Sequence, residues 1–532
     1  MKPLNIQNKI IEAYGYDNSG QMEKAKRLCL EIIKIDPDNF EINKLLGIVE
    51  AKHLNYLEAL KLLKKANAIK DTDPYLLNCI ANVYQEIDEP LKAIYYYDQS
   101  IKIKANFFQA YTNRGIALKK IKKIDESLES FNASLKINPK DIDAYLGRGN
   151  LFCDENNYIK ALQDYAEVIK INNKYAPAYF NSAIAYRSLR EITKAIDYFD
   201  KAISLNKNYL EAYYEKSLTL LLDSQLEEGF ELYEWRWKLK SISQQAGAKN
   251  YSQPLWLGKE SIKNKVILLH AEQGLGDTIQ FSRYCKMVSD LGAKVILEVP
   301  NVLIPLLNGI EGVYQLVEIG KTTTNFDYHA PLMSLPFAFC TNLETIPNQN
   351  PYLKTNENKY KQWKQYIGDK GFKIAISWQG SKKGDVDKGR SFPVNLFEEI
   401  SKINGVRLIS LQKNEGTEQL SQLPMDIKIE TLPESFDSMN GAFLDSAAVL
   451  KCVDLVITSD TALTHLAGAL GVNTWLPLKY VPDWRWMLDR SDTPWYPKHR
   501  LFRQKQKEDW VGVFKEMKEE LMLLTSEENK VS

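Results

Sequence analysis

The residues of this chain best suited to chemistry stand where apolar runs give way to helix patterns. In Asp454–Gly471, the run Leu455-Val-Ile457 has the character of a buried parallel strand. Thr458, Ser459, Asp460 and Thr461 then supply hydroxyls and a carboxylate where a helix begins, and any of them is able to cap it. His465 lies one helical turn after Thr461, so the two share a face. A helix N-terminus at the carboxyl end of a strand attracts anions, and open α/β sheets bind ligands along that edge. An ordinary strand–helix unit with a well-capped helix would carry the same residues. A second junction is His270–Asp277, where Gly274 and Gly276 free the backbone and Asp277 stands at a helix start, a common place for a capping aspartate. Trp378-Gln-Gly380 ends another strand with a glycine that permits close approach, and Gln412-Lys413 ends the next. Arg390 follows a loop holding Lys382, Lys383 and Lys388. A guanidinium grips phosphate oxygens two at a time, whereas the lysines alone suit a solvated loop.

These junctions need a scaffold of parallel strands. Val266–His270, Lys294–Val299 and Phe326–Leu332 read as strands, with a loop over 271–276 and a helix from about Asp277. A segment rich in proline and asparagine, about 341–358, separates them from a second set. That set comprises strands Phe372–Trp378, Val406–Leu411, Asp426–Glu430 and Val472–Leu478, with a helix over Leu444–Cys452. A last amphipathic helix, about 508–525, is long enough to cross back to the first lobe. Strand–helix alternation argues for two α/β lobes, 263–358 and 359–532, with parallel sheets. Gly274-Leu-Gly276 has Ile279 where the third glycine of a dinucleotide fingerprint would stand, and no phosphate-binding P-loop motif occurs.

The first part of the chain has a different order. Small residues recur at Ala25, Ala59, Ala93, Ser127, Ala161, Ala195 and Gly229, and again at Gly47, Ala81, Gly115, Gly149, Ala183 and Ser217. Tyr97, Phe131, Tyr165 and Phe199 keep the same phase, and Pro37 and Pro139 fall at equivalent repeat ends. The period resembles that of the tetratricopeptide repeat (TPR), in which small residues let paired helices touch. About seven units fill 1–240. Stacked units form a superhelix whose groove commonly takes up a partner segment, although an array can also serve as a prop or a dimerisation surface. Asn113 and Asn181 share one position within the units. In repeats resembling those of O-GlcNAc transferase an asparagine ladder there holds peptide backbone, but Leu45, Cys79, Gly147 and Glu215 interrupt it here. Residues 241–262 lose the phase and read as a linker, so a fragment cut near Tyr251 is expected to fold alone.

Composition narrows the classes. The chain has 44% hydrophobic and 26% charged residues, the balance of a folded soluble protein, and 532 residues exceed what one core organises. A net charge of +1 gives no drive towards nucleic acid or anionic membrane. The six cysteines form no C-x-x-C pair, and His270 and His329 have no partners at metal-ligand spacing, so a cytoplasmic protein without disulfide frame or metal is expected. No apolar run approaches the roughly 20 residues of a spanning helix.

Taken together, His270-Ala-Glu-Gln-Gly-Leu-Gly-Asp277, Ser377-Trp-Gln-Gly380, Arg390-Ser-Phe-Pro393, Ser410-Leu-Gln-Lys413, Ser459-Asp-Thr-Ala-Leu-Thr-His-Leu-Ala-Gly468 and Asp483-Trp-Arg-Trp486 resemble the bacterial repeat-fused glycosyltransferases of the family-9, ADP-heptose:LPS heptosyltransferase-like group. The resemblance implies a GT-B fold of two Rossmann-like lobes and inverting, metal-independent sugar transfer from a nucleoside diphosphate donor to a protein or glycan hydroxyl. It implies Asp277 as general base, with Gln273, Gly274 and Gly276 on the acceptor-side loop; should Asp277 serve only as a helix cap, Glu272 on the same loop is the next carboxylate. It implies Arg390 at the donor diphosphate, with Trp378, Gly380, Gln412, Lys413, Asp460, Thr461 and His465 around the donor. No cofactor beyond the donor is implied, the TPR groove is expected to engage the acceptor or a partner, and an oligomer is compatible with the array. Two rival readings are a GT-B sugar-nucleotide epimerase or hydrolase, and an interaction scaffold with a vestigial GT-B domain.

Overall fold

The computed structural model describes residues 3–240, 242, 251–321, 325–382, 387, 389–438 and 441–531. They form two compact units, Met1–Lys207 and Asn208–Ser532. Lys383 and Lys388 of the basic loop, and positions 241 and 243–250 of the linker, lie outside the described residues.

The first unit is all-helical, from Pro3–Asn18 to Ile192–Leu205, in antiparallel pairs. Its periodicity is written into the backbone as well as the packing. Gly20, Leu54, Asp88, Lys122, Asn156 and Arg190 all have φ between 60° and 73°, and each closes the first helix of a pair. The next residue's N–H reaches back to a carbonyl in the last helical turn, as from Asn55 to Glu50 and from Asn157 to Phe152 (2.9 and 2.7 Å). This is a Schellman ending, which satisfies carbonyls that the helix itself leaves open. Only Gly20 is a glycine, so the other units bear a left-handed side chain to keep the turn. Small residues keep the paired helices close: a Cβ on Gly149 would lie 2.5 Å from Tyr165 and one on Gly115 2.8 Å from Phe131. Asn113 and Asn181 donate to Asn82 and Asn150 (both 3.0 Å), whose oxygens also accept from the Tyr97 and Tyr165 hydroxyls (both 2.7 Å).

The seventh helix pair, Leu210–Leu222 and Leu226–Tyr233, belongs to the second unit, followed by a short 3₁₀ turn, Glu234–Lys238. Ten strands follow: β1 Val266–His270, β2 Lys294–Val299, β3 Val313–Glu318, β4 Tyr328–Pro331, β5 Phe372–Ser377, β6 Val406–Ser410, β7 Ile429–Thr431, β8 Leu455–Thr458, β9 Thr474–Leu478 and β10 His499–Arg503. They make two wholly parallel sheets, ordered β3-β2-β1-β4 and β10-β9-β8-β5-β6-β7. In each sheet the chain first winds to one side and then returns to the other. The switch points lie between β1 and β4 and between β5 and β8, where open α/β sheets leave a ligand crevice at the strand carboxyl ends.

The last helix, Trp510–Val531, does not take the expected route back to the first lobe. Val513, Phe514, Met517 and Leu521 join the second sheet's core beside Phe392, Phe397 and Phe502. The helix Glu357–Ile367, unannounced by the sequence pattern, starts at Asn356, whose side chain accepts from the Lys359 N–H, and anchors through Trp363 Nε1 on Asp445 (2.7 Å).

Candidate functional site

The loop after β1 enters the Leu275–Phe281 helix, and the loop after β8 enters the Ala462–Ala469 helix. These two helices pack against each other, and Asp277 and Asp460 both lie beside Arg485 and Asp483. Gly276 makes the contact possible: a Cβ there would lie 2.8 Å from His465 Cδ2 and 3.2 Å from Ala462 Cα. Gly274 has φ −70°, which any residue adopts, and its Cβ position lies 3.1 Å from an Asp277 oxygen. Close packing, and not freedom of the backbone, is what these glycines supply.

Asp277 uses both carboxylate oxygens. Oδ2 accepts the Gly274 N–H at 2.9 Å, closing the helix start, and Oδ1 accepts Arg485 Nη2 at 2.5 Å. Burial raises its pKa, Arg485 opposes that rise, and Asp483 adds to it. Arg485 is itself buried. It donates Nε to Gln280 (2.7 Å) and Nη1 to Asp483 (2.9 Å), and its guanidinium lies 4.3 Å from the Trp484 ring centroid. One arginine of the second lobe therefore grips the helix of the first. Arg485 was present in the sequence only as the middle of Asp483-Trp-Arg-Trp486, where the flanking tryptophans draw the eye.

Asp460 follows β8 directly. Burial and the neighbouring Asp483 push its carboxyl up to about 6, against Trp486, Arg485 and Arg390. Thr461 occupies the N-cap position, but its side chain caps nothing. His465 is buried, with Nδ1 3.0 Å from the Tyr496 hydroxyl and its ring stacked on Trp486. Burial, with Arg485, His499 and Arg283 nearby, holds its pKa well below the usual imidazole value, so the ring is neutral. The expected shared face with Thr461 is there, yet the imidazole is engaged in lobe packing.

Arg390 lies over Gly380, where a Cβ would meet the guanidinium at 2.6 Å. Its Nε stands 3.6 Å from Asp387 and has no hydrogen-bond partner among the described residues. Lys479, at the end of β9, interacts with Asp483, Asp460 and Arg390, and burial lowers its pKa. Lys479 stands with the site residues although no motif points to it.

Three expected donor contacts are used up by the fold. The Trp378 side chain is fully buried, with its indole N–H on the Gly416 carbonyl (3.2 Å). Gln412 ties the strand ends together: Oε1 accepts from Ser377 Oγ, Trp378 N and Gln379 N, while Nε2 donates to the Gln379 and Glu415 carbonyls. Lys413 Nζ donates to the Phe436 carbonyl. An amide so saturated has no group left for a base or ribose.

The acceptor-side loop is anchored from the seventh helix pair. Gln273 Nε2 donates to the Tyr233 hydroxyl (2.9 Å), and Glu272 is buried in a two-pronged pair with Arg236 (2.9 and 2.9 Å). Among the described residues, no three His, Cys, Asp or Glu side chains are grouped to hold a metal ion, and no helix is long and apolar enough to cross a membrane.

Comparisons with known proteins identify the repeats by family. Residues 108–141 and 176–209 each match the tetratricopeptide repeat family. The chain is 27% identical over 319 residues to Protein FlbA of Caulobacter vibrioides, a match covering 56% of this chain and 52% of FlbA, so it spans about half the length of that relative. Among solved structures, pilF of Pseudomonas aeruginosa is similar at 20% identity over 40% of this chain and 96% of that one, with a TM-score of 0.36. A tetratricopeptide repeat protein from Parabacteroides merdae is similar at 18% identity over 43% and 91%, with a TM-score of 0.38. The chain thus carries tetratricopeptide repeats, a protein-interaction module, followed by a region of parallel sheets.

Proposed function

We propose that the two parallel-sheet lobes form a GT-B glycosyltransferase and that the repeats recruit its protein or glycan acceptor or an assembly partner. The observation that carries this reading is that Arg485 and Asp483 join two groups at the carboxyl edges of two sheets, Asp277 on one side and Asp460 with Arg390 and Lys479 on the other. The acceptor hydroxyl would give its proton to Asp277 while its oxygen attacks the anomeric carbon. The bond from that carbon to the diphosphate oxygen breaks in the same displacement, which inverts the centre. The charge released on the diphosphate would fall on Arg390 and the first-turn N–H groups of the Ala462–Ala469 helix, with Thr461 and Gly380 lining the approach. Burial raises the Asp277 carboxyl's pKa and Arg485 opposes that rise, in the direction that favours the ionised form a base requires.

Thermal-shift measurements against UDP-, GDP-, ADP- and dTDP-linked sugars test the reading, because a ligand that binds only the folded state raises the melting temperature. At least one donor should stabilise the protein. If none does, and none is consumed with or without acceptor, the proposal fails. Donor consumed in the absence of any acceptor identifies the epimerase or hydrolase instead. The engagement of both Asp277 oxygens in fold-closing hydrogen bonds favours one second reading, an interaction scaffold whose lobes no longer turn over.

A further inference from the structure

We infer that the seventh helix pair braces the site, and that Tyr233 and Arg236 are positioning residues for the loop carrying Asp277. The inference rests on the proposed base role of Asp277.

Arg236 has no exposed surface, although it stands at the end of a helical repeat where an arginine would ordinarily meet water. Nε and Nη2 both reach Glu272, Nη2 also donates to Ser334 Oγ (2.8 Å), and Nη1 donates to Glu234 (2.6 Å) and to the Tyr233 carbonyl (3.1 Å). Glu272 Oε1 accepts a further hydrogen bond from the Met333 N–H at 3.0 Å. Every donor of the guanidinium fork that faces the first lobe is thus used on the loop or its neighbour. Burying both charges is costly, and a well-packed apolar pair would hold two elements together as firmly. What the ionic pair adds is a fixed register, since a two-pronged fork tolerates little sliding.

The same helix pair reaches the other lobe. Phe230 meets the Trp484 ring edge-on, with centroids 5.5 Å apart, and Trp484 precedes Arg485, the arginine bound to Asp277. One helical hairpin therefore touches the Glu272–Gln273 loop on one side of the cleft and the Trp484–Trp486 turn on the other. Between these contacts Gln273 is exposed, and its side chain is tied to the Tyr233 hydroxyl. If the loop relaxes, Gly274 and then Asp277 move with it, because the Gly274 N–H is bound to that carboxylate.

Two conservative variants of the full chain test this. Tyr233→Phe removes one hydroxyl and keeps the ring, and Arg236→Lys keeps the charge and loses the fork. Hydrogen exchange is followed by mass spectrometry in peptides covering 271–281, with 455–470 as internal reference. Tyr233→Phe should speed exchange in 271–281 about fivefold, the worth of one hydrogen bond, while the reference segment and the melting temperature stay near wild type. Arg236→Lys should speed it further. With a turned-over sugar nucleotide, kcat should fall about tenfold or more and the donor KM should hold, as expected of a displaced base. Exchange in 271–281 unchanged in both folded variants would overturn the inference. So would exchange raised equally in both segments, which is what a merely supporting helix pair predicts. If Arg236→Lys does not fold, Tyr233→Phe decides alone. The exchange readout needs no substrate, so a wild-type protein that binds none of UDP, GDP or ADP defeats the glycosyltransferase reading without touching this measurement.

Discussion

Replacing Asp277 by Asn separates a base from a joint. Asparagine has nearly the same shape but one acceptor oxygen in place of two. The Gly274 N–H and Arg485 Nη2 both need an acceptor at this side chain, so one of them will face the new NH2 group. A hydrogen bond to a charged group is worth about 1.5–3 kcal/mol. The Asp277 side chain is 23% exposed, so water can reach an orphaned donor there, and Arg485 retains Asp483 and Gln280. Burial also disfavours the wild-type charge, which the variant no longer carries. The net cost should be about 1–2 kcal/mol, a fall in melting temperature of roughly 2–6 °C by the usual size scaling. Turnover per folded molecule should drop by about 10²–10⁴, the usual contribution of a positioned base. Donor affinity should hold, because the residues proposed to bind the diphosphate belong to the other lobe. The assay pairs thermal melts with single-turnover transfer, normalised to folded protein. A loss of stability with full turnover per folded molecule refutes the base role. Glu272 cannot then be its replacement, since Arg236 and Met333 hold its carboxylate, and Asp460 becomes the carboxylate to test.

Arg390→Ala should weaken sugar-nucleotide binding by roughly one to two orders of magnitude, the worth of one charge-assisted phosphate contact, and chelators should leave binding unchanged; equal affinity by calorimetry would remove Arg390 from the donor site. A fragment starting at Tyr251 should be unstable, because it leaves Glu272 buried without Arg236, a loss of about 3–5 kcal/mol, whereas one starting at Asn208 should melt cooperatively; equal melting of the two would show that the pair contributes nothing. Binding of a nucleoside diphosphate near pH 7 should take up a proton at Asp460, whose folded value of about 6 moves higher beside a new anion; calorimetry in buffers of different ionisation enthalpy reads the uptake, and its persistence in Asp460→Asn would assign it elsewhere.

What the sequence declares and what it hides follow from how far apart the interacting residues are. The repeats are legible because each small residue and its aromatic partner lie within one helical hairpin, so the contact leaves a period. The strand–helix junctions at His270–Asp277 and Asp454–Gly471 are legible because an apolar run followed by glycine or a hydroxyl is a local signal. The edge strand β3 has exposed and half-buried residues throughout, and β10 begins with His499-Arg500, so neither shows the apolar run of a central strand. Arg236 and Glu272 are separated by the linker, and a buried ion pair has the same letters as two surface charges. The compact units divide at Lys207 and not near residue 240, and this pair lies inside the second unit. Trp378 and Gln412 fail as donor contacts for a related reason. A strand end needs its own polar groups satisfied, and the glutamine amide that looks free to read a ligand is taken by the backbone next to it.

The same economy governs the cleft. Asp277, Asp460 and Asp483 gather with Arg485, Arg390 and Lys479, with Arg485 buried and the others half-buried. Such a cluster is poor value as pure architecture, since well-packed apolar residues would join two lobes at lower cost. It is better suited to a place where charge changes. Acids and bases there shift one another's proton affinity, burial holds the His465 imidazole's pKa low, and an entering diphosphate would meet Arg390 and Lys479 while Arg485 remains on Asp277. Under that division of labour the joint does not have to open for the site to be filled. The arginine that fixes the first lobe's helix and the arginine that would meet phosphate are different residues, drawn from different loops of the second sheet.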